Sequence, residues 1–178
     1  MKGVACLSLF LLAVLAGCSS LSVKHDYDPE ADFTKYKNYA WLDQEMPEDE
    51  LATNPLIKKR VHTAVDAVLA SKGYKLTEPD QADFVVVIHA AIKERMRIQD
   101  WGRYGGYDPW WGPYGGRVDV SYYDEGTLVI DIVDAGEKEL VWRGTGTGIM
   151  KAYAHPEKMQ KDLDRDVTRI LAPFPPGS

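Results

Sequence analysis

Residues 127–149 read TLVIDIVDAGEKELVWRGTGTGI, which is the part of the sequence most informative about the architecture. Residues 127–133 and 140–149 are both rich in β-branched and apolar side chains, which favours strands. The polar stretch at 134–138 between them has the length and composition of a hairpin turn. We therefore predict a pair of neighbouring antiparallel strands here.

The second strand of this hairpin carries alternating glycines. Gly144, Gly146 and Gly148 alternate with Thr145 and Thr147, so a strand places all the glycines on one face. A face without side chains lets a helix or another backbone approach closely. A phosphate-binding loop is the alternative, but the glycines lack the wider spacing of such loops and no helix follows at once.

Before the hairpin in the sequence, residues 84–92 (FVVVIHAAI) form a continuous apolar run, which is typical of a central strand covered on at least one face. Shorter strands are predicted at 23–27, 36–42 and 74–76. Together with the hairpin, these segments make a sheet of about six strands.

Two amphipathic helices are predicted. Asn54 and Pro55 have the residue types of a helix start, and Gly73 supplies a stop. His155 and Pro156 open the second helix. Each helix repeats apolar residues at spacings of three and four, namely Ile57, Val61, Ala64, Val65, Val68 and Leu69 in the first and Met159, Leu163, Val167, Ile170 and Leu171 in the second.

This order of elements lacks regular strand–helix–strand alternation. It predicts a single α+β domain over residues 23–176, with a mostly antiparallel sheet of about six strands and two helices side by side on one face. Trp41 and Trp142 are expected to anchor its core. We expect Asp28 and Asp32 to fix the turn after the first strand, and Arg143 to pair with a nearby aspartate. A surface site near the start of the domain is the alternative role for these residues.

The N-terminus has the pattern of an export signal. Lys2 precedes an apolar run at 4–16 that is too short to span a bilayer, and LAGC follows at 15–18. This end resembles a bacterial lipoprotein signal peptide, which would be residues 1–17, with Cys18 as the lipid-bearing terminus and 18–22 as a short tether. An ordinary secretory signal with an incidental cysteine is the alternative. Cys6 would leave with the signal, so no disulfide is expected.

A lipoprotein of this kind carries three fatty acyl chains such as palmitate, and two or more chains hold a protein stably. Ser19, and not aspartate, follows Cys18, which predicts sorting to the outer membrane in a host that follows the enteric rule. Four tether residues reach about 14 Å at 3.5 Å each, so the domain would sit close to its membrane, facing the periplasm.

Composition and motifs exclude several function classes. The 178-residue chain has a formal net charge of −6, which argues against nucleic acid as a partner. The histidines are scattered and form no HExxH motif, so no metal site or cofactor is predicted. No G-x-S-x-G motif is present, and no cysteine is left to act as a nucleophile. We expect no enzymatic activity.

An aromatic, glycine-rich loop is predicted at 99–117, which includes WGRYGGYDPWWGPYGG. Long loops without regular structure are usually functional or disordered. Aromatic rings on such a loop suit three roles: shielding the sheet, contacting a protein or glycan, or lying at a membrane interface. The candidate binding residues are Trp101, Tyr104, Tyr107, Trp110, Trp111 and Tyr114.

Several short motifs, in this order and spacing, resemble a known family. They are DYDP at 26–29, ADF at 31–33, YAW at 39–41, KGY at 72–74, ADF at 82–84, GTL at 126–128 with Asp131 after it, LVWRG at 140–144 and FPP at 174–176. The sequence is similar to the bacterial lipoprotein domain called domain of unknown function forty-one thirty-six. The resemblance implies an α+β envelope lipoprotein of Gram-negative bacteria and brings no established activity, cofactor or catalytic residue.

The function expected from the sequence is a membrane-anchored, non-enzymatic binding or envelope-assembly module. Its expected partners are the membrane, through the lipid on Cys18, and either an envelope protein or a cell-wall glycan. An envelope hydrolase whose carboxylates come together from separate strands is one alternative, and a purely structural lipoprotein is another. A hydrolase would have a cleft with two close carboxylates or with a histidine beside a carboxylate.

Overall fold

The computed structural model describes residues 21–42, 49–100, 118–149 and 155–177. These residues form six strands, three helices and two short 3-10 turns at Phe33–Lys35 and Pro79–Gln81. In chain order the strands and helices are β1 (Ser22–Tyr27), β2 (Asn38–Trp41), α1 (Glu50–Thr53), α2 (Pro55–Ser71), β3 (Lys75–Leu76), β4 (Phe84–Asp100), β5 (Val118–Asp134), β6 (Leu140–Ile149) and α3 (Pro156–Leu171).

All six strands belong to one sheet with the order β1-β6-β5-β4-β2-β3. β1 pairs with β6, β6 with β5 and β5 with β4, and all three pairs are antiparallel. β2 runs parallel to both β4 and β3. The predicted α+β domain with a mostly antiparallel six-stranded sheet is therefore confirmed.

α2 and α3 lie side by side on one face of the sheet, as expected. The Arg60 Nη1 donates to Gln160 Oε1 at 3.4 Å, and the Gln160 Nε2 donates back to the Arg60 carbonyl at 3.3 Å. The core between helices and sheet contains fully buried side chains from both layers, including Val65, Leu69, Val167, Ile170 and Leu171 from the helices and Phe84, Val86, Ile130, Ile132 and Trp142 from the strands.

The glycine face of β6 lies directly beneath α3. A Cβ atom on Gly146 would meet the Ile170 Cδ1 at 2.5 Å, and one on Gly144 would meet the Ile170 Cγ2 at 2.8 Å and the Trp142 ring. The expected close approach of a helix to this face is therefore confirmed, because any larger residue would displace Ile170.

The two tryptophans differ in burial. Trp142 is fully buried, with its ring centroid 5.3 Å from that of Phe174. Trp41 is half-buried at the edge of the core, where its Nε1 donates to Asp66 Oδ1 at 3.0 Å. Trp142 is thus the core anchor that was expected, while Trp41 contributes at the margin.

β4 and β5 are longer than the apolar runs that predicted them. Gln99 and Asp100, expected to begin the aromatic loop, belong to β4 and pair with Asp119 and Val118. Cross-strand contacts support the polar part of these strands, since Arg95 donates to Glu125 Oε1 through Nε at 3.0 Å and Nη2 at 2.8 Å.

Candidate binding surfaces

The candidate site residues predicted from the sequence lie in segments that adjoin the described residues. Cys18 lies outside the described residues, and so do the aromatic residues Trp101, Tyr104, Tyr107, Trp110, Trp111 and Tyr114. The structure does place their neighbours. Leu21 begins the described chain, while Asp100 and Val118 flank the aromatic segment. Two candidate binding surfaces of the domain lie beside these neighbouring residues, one at Asp100 and Val118 and the other at Leu21.

The first surface is a two-stranded arm, formed by the seven residue pairs from Glu94 with Asp124 to Asp100 with Val118. Within the described residues, β6 accompanies β5 as far as Glu125 and β2 accompanies β4 as far as Val86. At about 3.4 Å per residue, the arm extends roughly 20 Å beyond these described pairs.

Neither long edge of the arm has a strand partner within the described parts of the chain. An isolated two-stranded hairpin is only marginally stable in water. Contact with another surface would therefore stabilise the arm. The aromatic segment at 101–117 connects the two far ends of this arm.

The second surface is an apolar groove of about 220 Å³ between the helices and the sheet. Its floor contains small residues, among them Ala90 and Gly126, which leave space beneath the helices. Ile57 from α2 and Met159 from α3 contribute to its walls. The sequence could not reveal this groove, because its residues come from distant segments.

The beginning of the described chain is fixed at this groove. Leu21 lines it, and a Cβ on Gly146 would meet the Leu21 Cδ1 at 3.4 Å. The Leu21 carbonyl accepts a hydrogen bond from Arg169 Nη2 of α3 at 3.1 Å. Leu21 therefore fixes the point beside an apolar cavity to which the chain from Cys18 leads.

A histidine–carboxylate pair lies near one end of the groove. The Asp49 Oδ1 accepts from the backbone N–H groups of Leu51 at 2.9 Å and Ala90 at 3.0 Å, and its Oδ2 lies 3.4 Å from His89 Nδ1. Burial alone would raise the pKa of Asp49, but these hydrogen bonds and the nearby His89 lower it overall.

The contacts of this pair connect α1 to the edge of β4. Asp49 caps the single turn of α1 and reaches across to Ala90. His89 and Ala90 are neighbours on a strand, so His89 points to the sheet face opposite the groove. Neither α1 nor this contact was predicted from the sequence, although Asp49 before Glu50 has the residue types of a helix cap.

The other buried carboxylates are held by fixed donors. Asp134 accepts from Lys35 Nζ at 2.7 Å, from Tyr36 Oη at 2.9 Å and from the backbone N–H groups of Gly136 and Glu137. Burial would raise the pKa of Asp134, yet these donors lower it to about 2. This carboxylate is therefore ionised and serves the turn that joins β5 to β6.

The expected ion pair of Arg143 is confirmed. Its Nε and Nη2 donate to the two oxygens of Asp131, both at 2.6 Å. The expected turn contacts are present as well, because Asp28 Oδ1 accepts from the Glu30 N–H at 2.9 Å and Asp32 Oδ1 accepts from the Thr34 N–H at 3.0 Å. These residues of the sequence motifs thus serve the fold.

Two further features of the described ranges bear on function, one concerning metal binding and one concerning membrane crossing. No three histidine, aspartate, glutamate or cysteine residues there are grouped so that they could hold a metal ion. Within the same ranges, no helix combines the length and apolar character needed to cross a membrane.

The family model of the domain of unknown function DUF4136 matches residues 23–176. The chain belongs to the DUF4136 family. This confirms the resemblance read from the short motifs. No curated protein is similar enough to the sequence to count as a match.

Solved structures resemble this DUF4136 domain at low sequence identity. A PDZ domain protein from Parabacteroides distasonis is 10% identical with a TM-score of 0.57, and the match covers 89% of this chain and 37% of that one. The DUF4136 chain therefore spans little more than a third of that protein, and the likeness shows the fold alone. The PelC dodecamer from Paraburkholderia phytofirmans is 13% identical with a TM-score of 0.47, covering 86% and 96% of the two chains.

Proposed function

We propose that this DUF4136 protein is a lipid-anchored, non-enzymatic binding or assembly module of the bacterial envelope. Cys18 carries the lipid, and the domain sits at the outer membrane facing the periplasm. The aromatic residues between β4 and β5 contact the partner, which is an envelope protein or a cell-wall glycan. One observation carries the proposal, namely that the aromatic segment joins the far ends of an arm roughly 20 Å long.

The points at which this segment joins the arm favour contact with a partner over shielding of the helix-side face of the sheet. The helix-side face of the sheet is already covered by α2 and α3, whose side chains bury Phe84, Ile130 and Trp142. The segment begins and ends at Asp100 and Val118, at the far end of the arm. Tryptophan and tyrosine combine large apolar area with a polar tip, which suits contact with sugar rings or peptide surfaces.

Replacing the aromatic residues of the segment by serine is expected to weaken partner binding at least tenfold. Three lost ring contacts at about 0.5–1.5 kcal/mol each supply this factor. The replaced residues are Trp101, Tyr104, Tyr107, Trp110, Trp111 and Tyr114. Cosedimentation with purified cell-wall sacculi and crosslinking in intact cells measure the two partner classes separately.

The matched control for that experiment is Leu76→Ser. Leu76 is 56% exposed on β3 and pairs with Tyr39, which pairs with Phe84 at the end of β4 opposite the arm. We expect it to bind like the wild type. Equal recovery of sacculi and crosslinked proteins by the aromatic variant and the wild type would contradict the binding role and favour a purely structural lipoprotein.

Cys18→Ser is expected to abolish acylation and move most of the protein from the membrane fraction to the soluble fraction. A single sulfur holds all the thioether-linked lipid, and without two or more buried chains the attachment is no longer stable. Mass spectrometry of the mature N-terminus measures the acyl mass. A wild-type protein that keeps residues 1–17, carries no fatty acid and is soluble inside the cell would refute the anchor.

The envelope hydrolase stays the alternative from another class, and the Asp49–His89 pair is the observation that bears on it. The Asp49 carboxylate is engaged by two backbone N–H groups, and His89 lies on the sheet face away from the groove. This geometry favours a structural role for the pair, so we place the function in the arm and its aromatic segment.

A further inference from the structure

We propose that the apolar groove between α2, α3 and the sheet holds one of the acyl chains attached to Cys18. The inference rests on the proposed lipidation and adds a binding site for the lipid within the domain itself. Three observations support this proposal. The groove has an apolar lining, Cys18 is close enough to reach it, and an apolar side chain is exposed at its mouth.

The groove has the size and chemistry for a length of hydrocarbon chain. Its volume is about 220 Å³, and Leu51, Ile57, Leu128 and Met159 are among the residues that line it. Cavities of about 150 Å³ lined by aliphatic residues stay dry and accept apolar ligands such as benzene. The polar residues Glu50, Asn54 and Asp166 also line the groove, and their hydrophilic side chains suit its rim.

The N-terminal cysteine is within reach of the groove. Leu21 lines the groove and is held there by the Arg169 hydrogen bond to its carbonyl. Cys18 precedes Leu21 by three residues, which span at most about 11 Å when fully extended. The acyl chains therefore begin close to the groove, wherever the intervening residues lie.

Placing one chain in the groove leaves the anchor intact. A buried methylene contributes about 0.8 kcal/mol in an apolar environment, whether that environment is the groove or the bilayer. The expected lipid has three chains, and the two that remain in the bilayer are enough for stable attachment. The chain in the groove would also cover Ile92, which is 40% exposed at the mouth.

This arrangement orients the domain. A lipid with one chain in the groove and two in the bilayer holds the groove end of the domain against the membrane. β4 passes from Ala90 in the groove floor directly into the arm, so the base of the arm is held at the same end. The aromatic segment is then presented from a fixed base near the membrane.

Photocrosslinking of the lipid in intact cells tests the inference. Cells grown with a diazirine analogue of palmitic acid would attach a photoreactive chain to Cys18. After irradiation and digestion, mass spectrometry is expected to find the N-terminal lipopeptide joined to groove peptides, such as the one that contains Met159. Before digestion, the crosslinked protein should have the mass of one lipidated polypeptide, because the crosslink forms within the same molecule.

Ala90→Leu is expected to lower the yield of this crosslink at least fivefold, because Ala90 lies in the groove floor and the larger side chain fills the cavity. Ile92→Lys places a charge at the mouth, on the same sheet face as Ala90, leaves the floor unchanged and should act in the same direction. Thr145→Leu adds similar bulk on the opposite sheet face and should leave the yield unchanged. The thermal unfolding midpoint of each variant shows whether it is folded.

Three results would overturn the inference while leaving the lipid anchor intact. They are crosslinks to phospholipid alone, crosslinks to a second copy or another protein, and equal yields from the wild type and both folded groove variants. If Cys18 takes up no labelled chain at all, the proposed lipidation itself fails, and the inference fails with it.

Discussion

Trp142→Ala is expected to lower the free energy of unfolding by about 3–5 kcal/mol. The indole of Trp142 is fully buried, packs 5.3 Å from the ring of Phe174 and lies beneath the helix layer. Its removal loses the largest fully buried side chain of the core and leaves a cavity that the rigid sheet cannot close. Urea denaturation followed by circular dichroism measures the change.

Two further variants separate the cavity from other causes. Leu140→Ala, two residues earlier on β6, alters a side chain that is 45% exposed and should cost under about 1 kcal/mol. Trp142→Phe should recover most of the lost stability. The Trp142 Nε1 is buried with no hydrogen-bond acceptor among the described residues, so phenylalanine also removes an unpaired donor. A cost below about 1 kcal/mol for Trp142→Ala would contradict its anchoring role.

Gly144→Ala is expected to destabilise the domain by about 3 kcal/mol, although it adds only one methyl group. The added Cβ would overlap the Trp142 ring and lie 2.8 Å from the Ile170 Cγ2. Both neighbours are fully buried, so neither can move without disturbing the core. At about 2–4 °C per kcal/mol, the unfolding midpoint should fall by roughly 6–12 °C in a thermal scan.

Gly136→Ala is the matched control for this methyl group. Gly136 lies in the exposed turn after β5, where a Cβ would make ordinary contact with Asp134 Oδ1 at 3.4 Å. The hydrogen bond from its backbone N–H to Asp134 is kept, so the change should stay within about 0.5 kcal/mol. Similar losses for both alanine variants would show that close packing under α3 is not the cause.

Features with local causes were predictable from the sequence. The start of α2 follows from Asn54, whose side-chain oxygen accepts from the Ile57 N–H at 3.2 Å, and from Pro55 at the first helical position. Its end follows from Gly73, which has a positive φ of 91°. The glycine face of β6 was also visible as an alternating pattern, because strand geometry alone sorts Gly144 and Gly146 to one side.

Other features depend on partners that are distant in the sequence. The arm extends β4 through 94–100, where charged residues interrupt the apolar pattern and pairing with β5 maintains the strand. The parallel pairing of β2 with β4 covers only three residue pairs, and a strand this short has no pattern that distinguishes the two directions. The groove combines residues from before β1 to α3, so no single segment carries a signal for it.

The pairing of β1 with β6 sets a constraint on the order in which the domain can be completed. A chain is synthesised from its N-terminus, so Ser22–Tyr27 emerges first, while its partners at 142–147 emerge more than a hundred residues later. The first strand, and with it the Leu21 contact to Arg169, must wait until almost the entire polypeptide has been made. The edge of the sheet nearest the proposed membrane anchor therefore forms only after β6, the last of the described strands, has been synthesised and can pair with β1.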